Sequence, residues 1–434
     1  MYTTVVSIIA ILALLFLICM RMPVAFALAF VGLGGVIALQ GLDCALGLLF
    51  SIPYESTASW VFICVPLFVL AGQLALYADI STDAYDIGNK FFGRLPGGLA
   101  IGTIIGCGFF AATSGVSVAT AATMGSIAIP EMEKHGYDSK LATGSVAAGG
   151  LLGIMIPPSV PLVLYGFITE QSIGALLIGG IIPGIMTIVV FSLGIVVMVM
   201  MNPRLAPLGE VSSLREKLRA LPKAWRFLLI IGVVIGGIYS GVCTVTEAAA
   251  NGAFCAFILL LLRHGKNSFK VMPRALELAG TVTSMVFIIM LGATFFTTFL
   301  SLARIPHNVT TFMTSLDVSP YTLLGLVLFI YIPLGMFLDT VSIMLITLPI
   351  VFPIIQALNF SGIWFGILMI KMCEIGLITP PVGLNVYVIS GIAKNIDLAD
   401  IFRGASRFII LEFITLGLLI LFPQLVLYLP GMLR

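Results

Sequence analysis

Apolar runs of about twenty residues recur along nearly the whole chain, which is the spacing of helices that cross a lipid bilayer. In the first half the pattern predicts helices over roughly 4–20 and 24–40. A segment over 41–56 then carries Asp43 and Glu55 but no Lys or Arg. A helix over about 57–77 leads to a polar loop with Lys90 and Arg94. A helical hairpin follows from Pro96 to Pro130, then a polar loop over 131–140. A helix over 141–168 is broken at Pro157-Pro158, because proline removes a donor from the helical ladder. The last first-half helix spans about 174–200. The longest polar stretch, 202–226, then separates two halves, 1–201 and 227–434.

The second half repeats the plan. Helices over about 227–241 and 246–262 precede a basic loop holding Arg263, Lys266, Lys270 and Arg274. A helix over 275–301 leads to a second hairpin over 320–353 and a second broken helix over 362–391. A final helix covers about 408–428. The proline pairs lie 223 residues apart (157 to 380), and so do the prolines closing the hairpins (130 to 353). Two copies of a hairpin plus a broken helix are the sequence sign of a secondary transporter built from internal repeats.

Composition agrees. Of 434 residues, 60% are hydrophobic and 9% charged, against about 25% charged in a soluble domain. The fold class expected is therefore an all-α polytopic membrane protein. A net charge of +2, with no basic cluster interleaved with aromatics, gives no reason to expect nucleic acid as a partner. The seven cysteines are scattered singly, without the spacing of a zinc site or a disulfide framework. The stretch before Val5–Met20 carries no positive charge, so the N-terminus reads as an uncleaved first helix. His135, His264 and His307 all fall in expected loops.

Basic residues set the orientation. With 202–226 in the cytoplasm, and each hairpin entering and leaving on one side, all but three of the 21 Lys and Arg residues are cytoplasmic, Arg21 among them. Arg304 and Arg434 fall outside and Lys371 lies within a span. Both termini are then periplasmic. Equivalent loops differ in charge: 41–56 has no Lys or Arg, whereas its partner 264–279 is basic. The two repeats are thus expected to run in inverted topology.

Broken helices are tolerated in a bilayer only where they face protein or water. Their freed carbonyls and nearby hydroxyls suit a small alkali cation, and half-helix N-termini suit an anionic group. Two paired cation sites follow. One joins Ser114, Gly115 and Ser117 at the first hairpin tip to Ile156, Pro157 and Ser159. The other joins Asp339, Thr340 and Ser342 at the second tip to Thr379, Pro380 and Val382. Asp339 either ligates the cation or caps the helix that starts near Thr340. Thr113, Lys371 and Asn385 are candidate contacts to an anionic substrate. Lys371 lies about 13 Å into its helix at ~1.5 Å per residue. It either meets a substrate carboxylate or pairs with Glu374 at i+3. Glu247 and Glu412 read as packing or interfacial residues rather than proton carriers. The small and hydroxyl residues of 97–126 also fit plain helix packing.

SGVSVATAATMGSIAIPEM, GIMIPPS and EIGLITPPVGLN resemble the large membrane subunit of TRAP transporters, the tripartite ATP-independent periplasmic type (DctM-like); so does the early Arg21-Met22-Pro23-Val24. The resemblance covers essentially the whole chain. It implies an elevator, in which a transport domain of hairpins and broken helices moves against a scaffold in the bacterial inner membrane. It implies Na+ as the coupling ion, no other cofactor, and a carboxylate substrate. It also implies a periplasmic solute-binding protein and a small four-helix membrane subunit, expected as a separate chain because no fused extension is present. Rival readings are a stand-alone sodium:carboxylate symporter, an intramembrane enzyme and the permease of an ATP-driven importer. The spans carry no HExxH, no His and no facing Ser/His or Asp/Asp set, so no enzyme activity is expected.

Overall fold

The structure, a computed structural model, describes residues 2–20, 22–58, 60–207 and 213–432. Arg21 and Arg434 of the charge count lie outside the described residues, as do residues 208–212 of the connecting segment. First-half helices are α1 (Tyr2–Cys19), α2 (Val24–Gln40), α3 (Leu42–Thr57), α4 (Cys64–Tyr77), α5 (Ile80–Phe92), α6 (Gly98–Ser114), α7 (Ser117–Lys134), α8 (Ser139–Met155), α9 (Val160–Ile168), α10 (Ile173–Gly179) and α11 (Ile181–Met201). α12 (Leu214–Ala220) lies in the connecting segment. The rest are α13 (Trp225–Ile231), α14 (Gly237–Tyr239), α15 (Val245–His264), α16 (Ser268–Leu302), α17 (Ile305–Ser315), α18 (Pro320–Phe337), α19 (Thr340–Ala357), α20 (Gly362–Leu377), α21 (Leu384–Ile392), α22 (Leu398–Leu421) and α23 (Gln424–Leu427). Among the described residues, seven helices are long and apolar enough to cross a membrane, or nine if each bent pair counts as one span.

The spacing of 223 reappears in the elements. Shifted by that number, α7 falls on α19 at both ends, and α2, α6, α8 and α9 fall within two residues of α15, α18, α20 and α21. The packing is reciprocal as well. α2 lies on α16 and α4 on α15; α7 lies on α21 and α19 on α9. Helix i of one half meets helix j of the other, and the counterpart of j meets the counterpart of i. The main hydrophobic core runs through the hairpins, broken helices and α22. A second core, with Leu14, Leu28, Phe296 and Phe299, joins α1, α2 and α16.

Several stretches expected as loops are helical. Segment 41–56 is α3, whose Leu46, Leu49, Phe50 and Tyr54 are exposed. The stretch with Lys90 is α5, bent 63° from α4. Its composition is polar, but Ile80, Ala84, Tyr85, Ile87 and Gly88 form a buried stripe at helical spacing. The return arm of the first hairpin runs past Pro130 to Lys134, and that of the second past Pro353 to Ala357. Lys270 and Arg274 sit on α16, and His307 on α17. His264 ends α15, where its Nε2 lies 3.0 Å from the Tyr77 carbonyl oxygen.

α5 and the residue before it are tied by charge to the connecting segment and to α15. Asp83 accepts from Arg226 at 2.9 Å, Asp86 from Lys223 at 2.6 Å, and Asp79 from Arg263 at 3.0 Å. Deeper in the bundle, α8 and α22 cross on two glycines. A Cβ on Gly144 would lie 2.5 Å from the Gly404 carbonyl carbon, and one on Gly404 would strike the backbone of Lys140. Small residues at such crossings let backbones approach in a bilayer. Gly404→Val is therefore expected to destabilise the protein by about 1–3 kcal/mol, read as a lower midpoint of thermal unfolding in detergent. An unchanged midpoint would contradict this crossing.

Candidate functional site

Each hairpin tip is seated on the break of the helix that follows it. α6 ends at Ser114, and Gly115 turns the chain with φ +64 before α7 begins at Ser117. The left-handed conformation favours glycine, and so does the space: a Cβ on Gly115 would lie 2.5 Å from the Pro158 carbonyl oxygen. The Gly115 carbonyl accepts from Val160 N–H at 3.4 Å, which docks the tip on the first turn of α9. The tip hydroxyls form a small network. Ser114 Oγ and Thr120 Oγ1 are 2.9 Å apart, and Thr120 donates to the Val116 carbonyl at 2.9 Å. Thr113 donates back to Phe110 at 2.8 Å.

The broken helix supplies the other wall. α8 and α9 diverge by 41°, and the peptide between Pro157 and Pro158 is cis. Neither proline has an N–H, so the carbonyls one turn earlier lose their helical donors. Ser159 donates its hydroxyl to Ile154 at 2.5 Å and accepts from Leu162 N–H at 3.3 Å. It therefore satisfies one freed carbonyl and caps α9. Ile156 closes α8, with its N–H on Leu152 at 3.0 Å. Pro157, Pro158 and Ser159 are buried and Ile156 is half-buried.

The second copy has the same plan and different chemistry. α18 ends at Phe337, and Asp339 caps α19 by accepting from Val341 N–H at 3.1 Å and Ser342 N–H at 3.2 Å. Its other oxygen takes the Ser342 hydroxyl at 2.5 Å. The capping role is thus realised. Thr379 donates to Ile375 at 2.5 Å, and Gly383 N–H reaches back to Met336 at 3.2 Å. The peptide between Pro380 and Pro381 is cis. Pro380 and Pro381 are exposed and Val382 half-buried, so this break is open where the first is closed.

The halves meet between the sites. Asn385 on α21 donates to Ser117 at 2.8 Å and to the Ala147 carbonyl at 3.2 Å, and Ser117 returns a bond to Asn385 Oδ1 at 3.1 Å. The first-tip serine is thereby tied to the second broken helix. Thr340 stands 223 residues after Ser117, but the position equivalent to Asn385 is Leu162, which has no polar group to offer. The buried Thr340 hydroxyl finds no partner among the described residues.

Lys371 belongs to an ion cluster. Its Nζ lies 2.7 Å from Glu374 Oε2 and 2.8 Å from Glu412 Oε2, and all three side chains are fully buried. Of the two readings of Lys371, the geometry realises the ion pair and extends it to Glu412, 41 residues away. Glu412, read above as packing or interfacial, is thus part of a buried charge cluster. The i+3 spacing signalled Glu374; nothing local signalled Glu412. Thr120 was also missed, although its i+3 spacing from Ser117 places it by the tip. Among the described residues, no group of three or more His, Cys, Asp or Glu side chains is placed to hold a metal. A cation at either tip would rest on carbonyls, hydroxyls and the Asp339 carboxylate.

Comparison with known proteins completes the description. A C4-dicarboxylate TRAP transporter large permease from Pseudomonas aeruginosa is 35% identical over 378 residues, covering 87% of this chain and 88% of the relative. A sialic acid TRAP transporter large permease from Vibrio cholerae is 30% identical over 411 residues, covering 94% of this chain and 95% of the relative. Such relatives are transporter permeases rather than enzymes. The crystal structure of the Alcanivorax borkumensis YdaH transporter, described as having an unusual topology, matches with a TM-score of 0.61 at 15% identity over 89% of this chain and 90% of that one. That match speaks to the all-helical fold alone. Residues 11–425 match the model of the tripartite ATP-independent periplasmic transporter, DctM component, and the chain belongs to that family as a multi-pass large permease of a TRAP transporter.

Proposed function

We propose that this chain is the permease of a sodium-coupled importer that takes up a small organic carboxylate delivered by a periplasmic solute-binding protein. Membership of the TRAP family implies secondary transport with such a protein and with a small membrane subunit. The observation that carries the finer reading is the pair of hairpin tips, each seated on its own broken helix. Carbonyls at the ends of α6 and α8, with the hydroxyls of Ser114, Ser117 and Ser159, would cradle one sodium ion. The Asp339 carboxylate, with Thr340, Ser342 and the freed carbonyls near Thr379, Pro380 and Val382, would cradle a second. Helix N-termini at α7, α9, α19 and α21 gather near the breaks, where they favour an anion. The repeats would run inverted across the inner membrane, with the basic loops in the cytoplasm and both termini periplasmic, and the hairpin unit would move as an elevator.

The energetics are sufficient. At ~100 mV each net charge moved inward is worth about 2.3 kcal/mol, and a tenfold sodium gradient adds roughly 1.4 kcal/mol per ion. Two sodium ions with a monoanion supply on the order of 5 kcal/mol, enough for accumulation of several thousandfold without ATP.

Proteoliposomes holding this chain and its small subunit are expected to take up substrate only when the binding protein and an inward sodium gradient are both present. Uptake with sodium alone would replace this reading with a stand-alone symporter, and uptake that needs ATP would end it. Ser117→Ala and Thr379→Ala are each expected to raise the sodium concentration for half-maximal uptake about 2–10-fold, the scale of one lost hydrogen bond, with membrane levels largely kept. A parallel loss of expression with an unchanged sodium response would count against the sites. Gly115→Ala is expected to cut uptake about tenfold, matching the ~1–2 kcal/mol cost of a left-handed alanine. Wild-type uptake by that variant would show that tip geometry is not critical.

A further inference from the structure

The Lys371–Glu374–Glu412 cluster is not used by either tip site. Three fully ionised groups would leave one net negative charge in a place with no exposed surface. An unbalanced buried charge is so costly that the group neutralises instead. Among the described residues, no further cation makes an ion pair with the cluster. On α22, Arg407 lies five residues before Glu412 and makes no ion pair with either carboxylate, while Arg403 and Lys140 are committed to Asp400 at 3.0 and 3.4 Å. The other titratable groups on elements packed against α20 are Cys373 on α20 itself, Tyr321 and Tyr331 on α18, Tyr165 on α9, Tyr387 on α21 and Asp339 before α19. None of these carries positive charge.

The bonding is uneven between the two acids. Glu412 Oε2 accepts from Lys371 at 2.8 Å and from Thr415 at 3.1 Å, the pattern of a held carboxylate. Glu374 meets only the Lys371 ammonium, 2.7 Å from its Oε2, and its Oε1 has no partner among the described residues. The fold does not require the cluster. In the first copy the positions 223 residues earlier are Ala148, Leu151 and Val189, all apolar, and α8 packs there without any charge.

We propose that Glu374 carries a bound proton at neutral pH, so that the cluster is an electroneutral proton-binding site of the second repeat, separate from both hairpin tips. One proton on Glu374 Oε1, the oxygen without a partner, removes the excess charge. The neutral Glu374 then stands beside a single Lys371–Glu412 ion pair, and the span carries no net charge through the bilayer.

Infrared difference spectroscopy of the full chain in lipid nanodiscs tests this directly, and independently of transport. At neutral pH the wild type is expected to show the carbonyl stretch of one buried protonated carboxylic acid per chain. The signal should shift when the protein is made with 13C-glutamate. Glu374→Gln removes that acid, and Glu412→Gln leaves Lys371 and Glu374 as a balanced ion pair, so either variant should lose the whole signal. Two variants guard against one of them failing to fold. Absence of a glutamate-derived acid signal from the wild type, or its persistence in either folded variant, would overturn the proposal.

Discussion

A peptide group inside a bilayer has no water to turn to, so every break in a helix must be met by another part of the chain. The rest of this structure depends on that requirement. Two helices are interrupted at proline pairs, and each interruption is met by the tip of the hairpin that precedes it. Val160 N–H reaches Gly115, and Gly383 N–H reaches Met336. Ser159 turns its hydroxyl onto the Ile154 carbonyl, which Pro158 leaves without its helical donor, and Thr379 turns its own onto Ile375 one turn back. The repair leaves acceptor capacity over, since each carbonyl oxygen has two lone pairs. What is left is oxygen, gathered at the ends of short helices and closed off by small residues.

The two copies are not equivalent in chemistry. The first tip is neutral and hydroxyl-rich, and its break is buried. The second has a carboxylate at its apex and an exposed proline pair. Ser117 is answered by Asn385 across the halves, whereas for its counterpart Thr340 the position equivalent to Asn385 carries leucine. α20 carries a lysine and a glutamate where α8 carries alanine and leucine. A shared backbone plan has therefore been given two electrostatic characters, and that is where the copies can take on separate tasks.

Much of the plan was legible because proline, glycine and hydrophobic run length are local signals. The paired prolines located both breaks, and their spacing of 223 recurs in the helix bounds. The elements misread as loops, α3 and α5, were misread for a physical reason. In α5 the polar residues lie on one face and the apolar ones on another, so an average over the stretch hides the helix, and α3 is punctuated by Asp43, Pro53 and Glu55. The links across the bundle were not legible at all. Nothing near Lys371 announces Glu412, and nothing near Ser117 announces Asn385, because those bonds are set by tertiary packing between distant segments. Asp339 was legible as a helix cap, a role that two N–H groups behind it fulfil.

The reciprocal packing of α2 on α16 and α4 on α15 bears on how the molecule is made. Each of these first-half helices finds its main partner only in the second half. As the chain leaves the ribosome, α2 and α4 must enter the membrane and wait, with their contact faces turned to lipid, until α15 and α16 have been synthesised. Lipid tails are as apolar as those faces, so waiting is tolerable. The native arrangement then forms late, by sorting among helices already inserted, and a chain interrupted before α16 would leave α2 without its main partner.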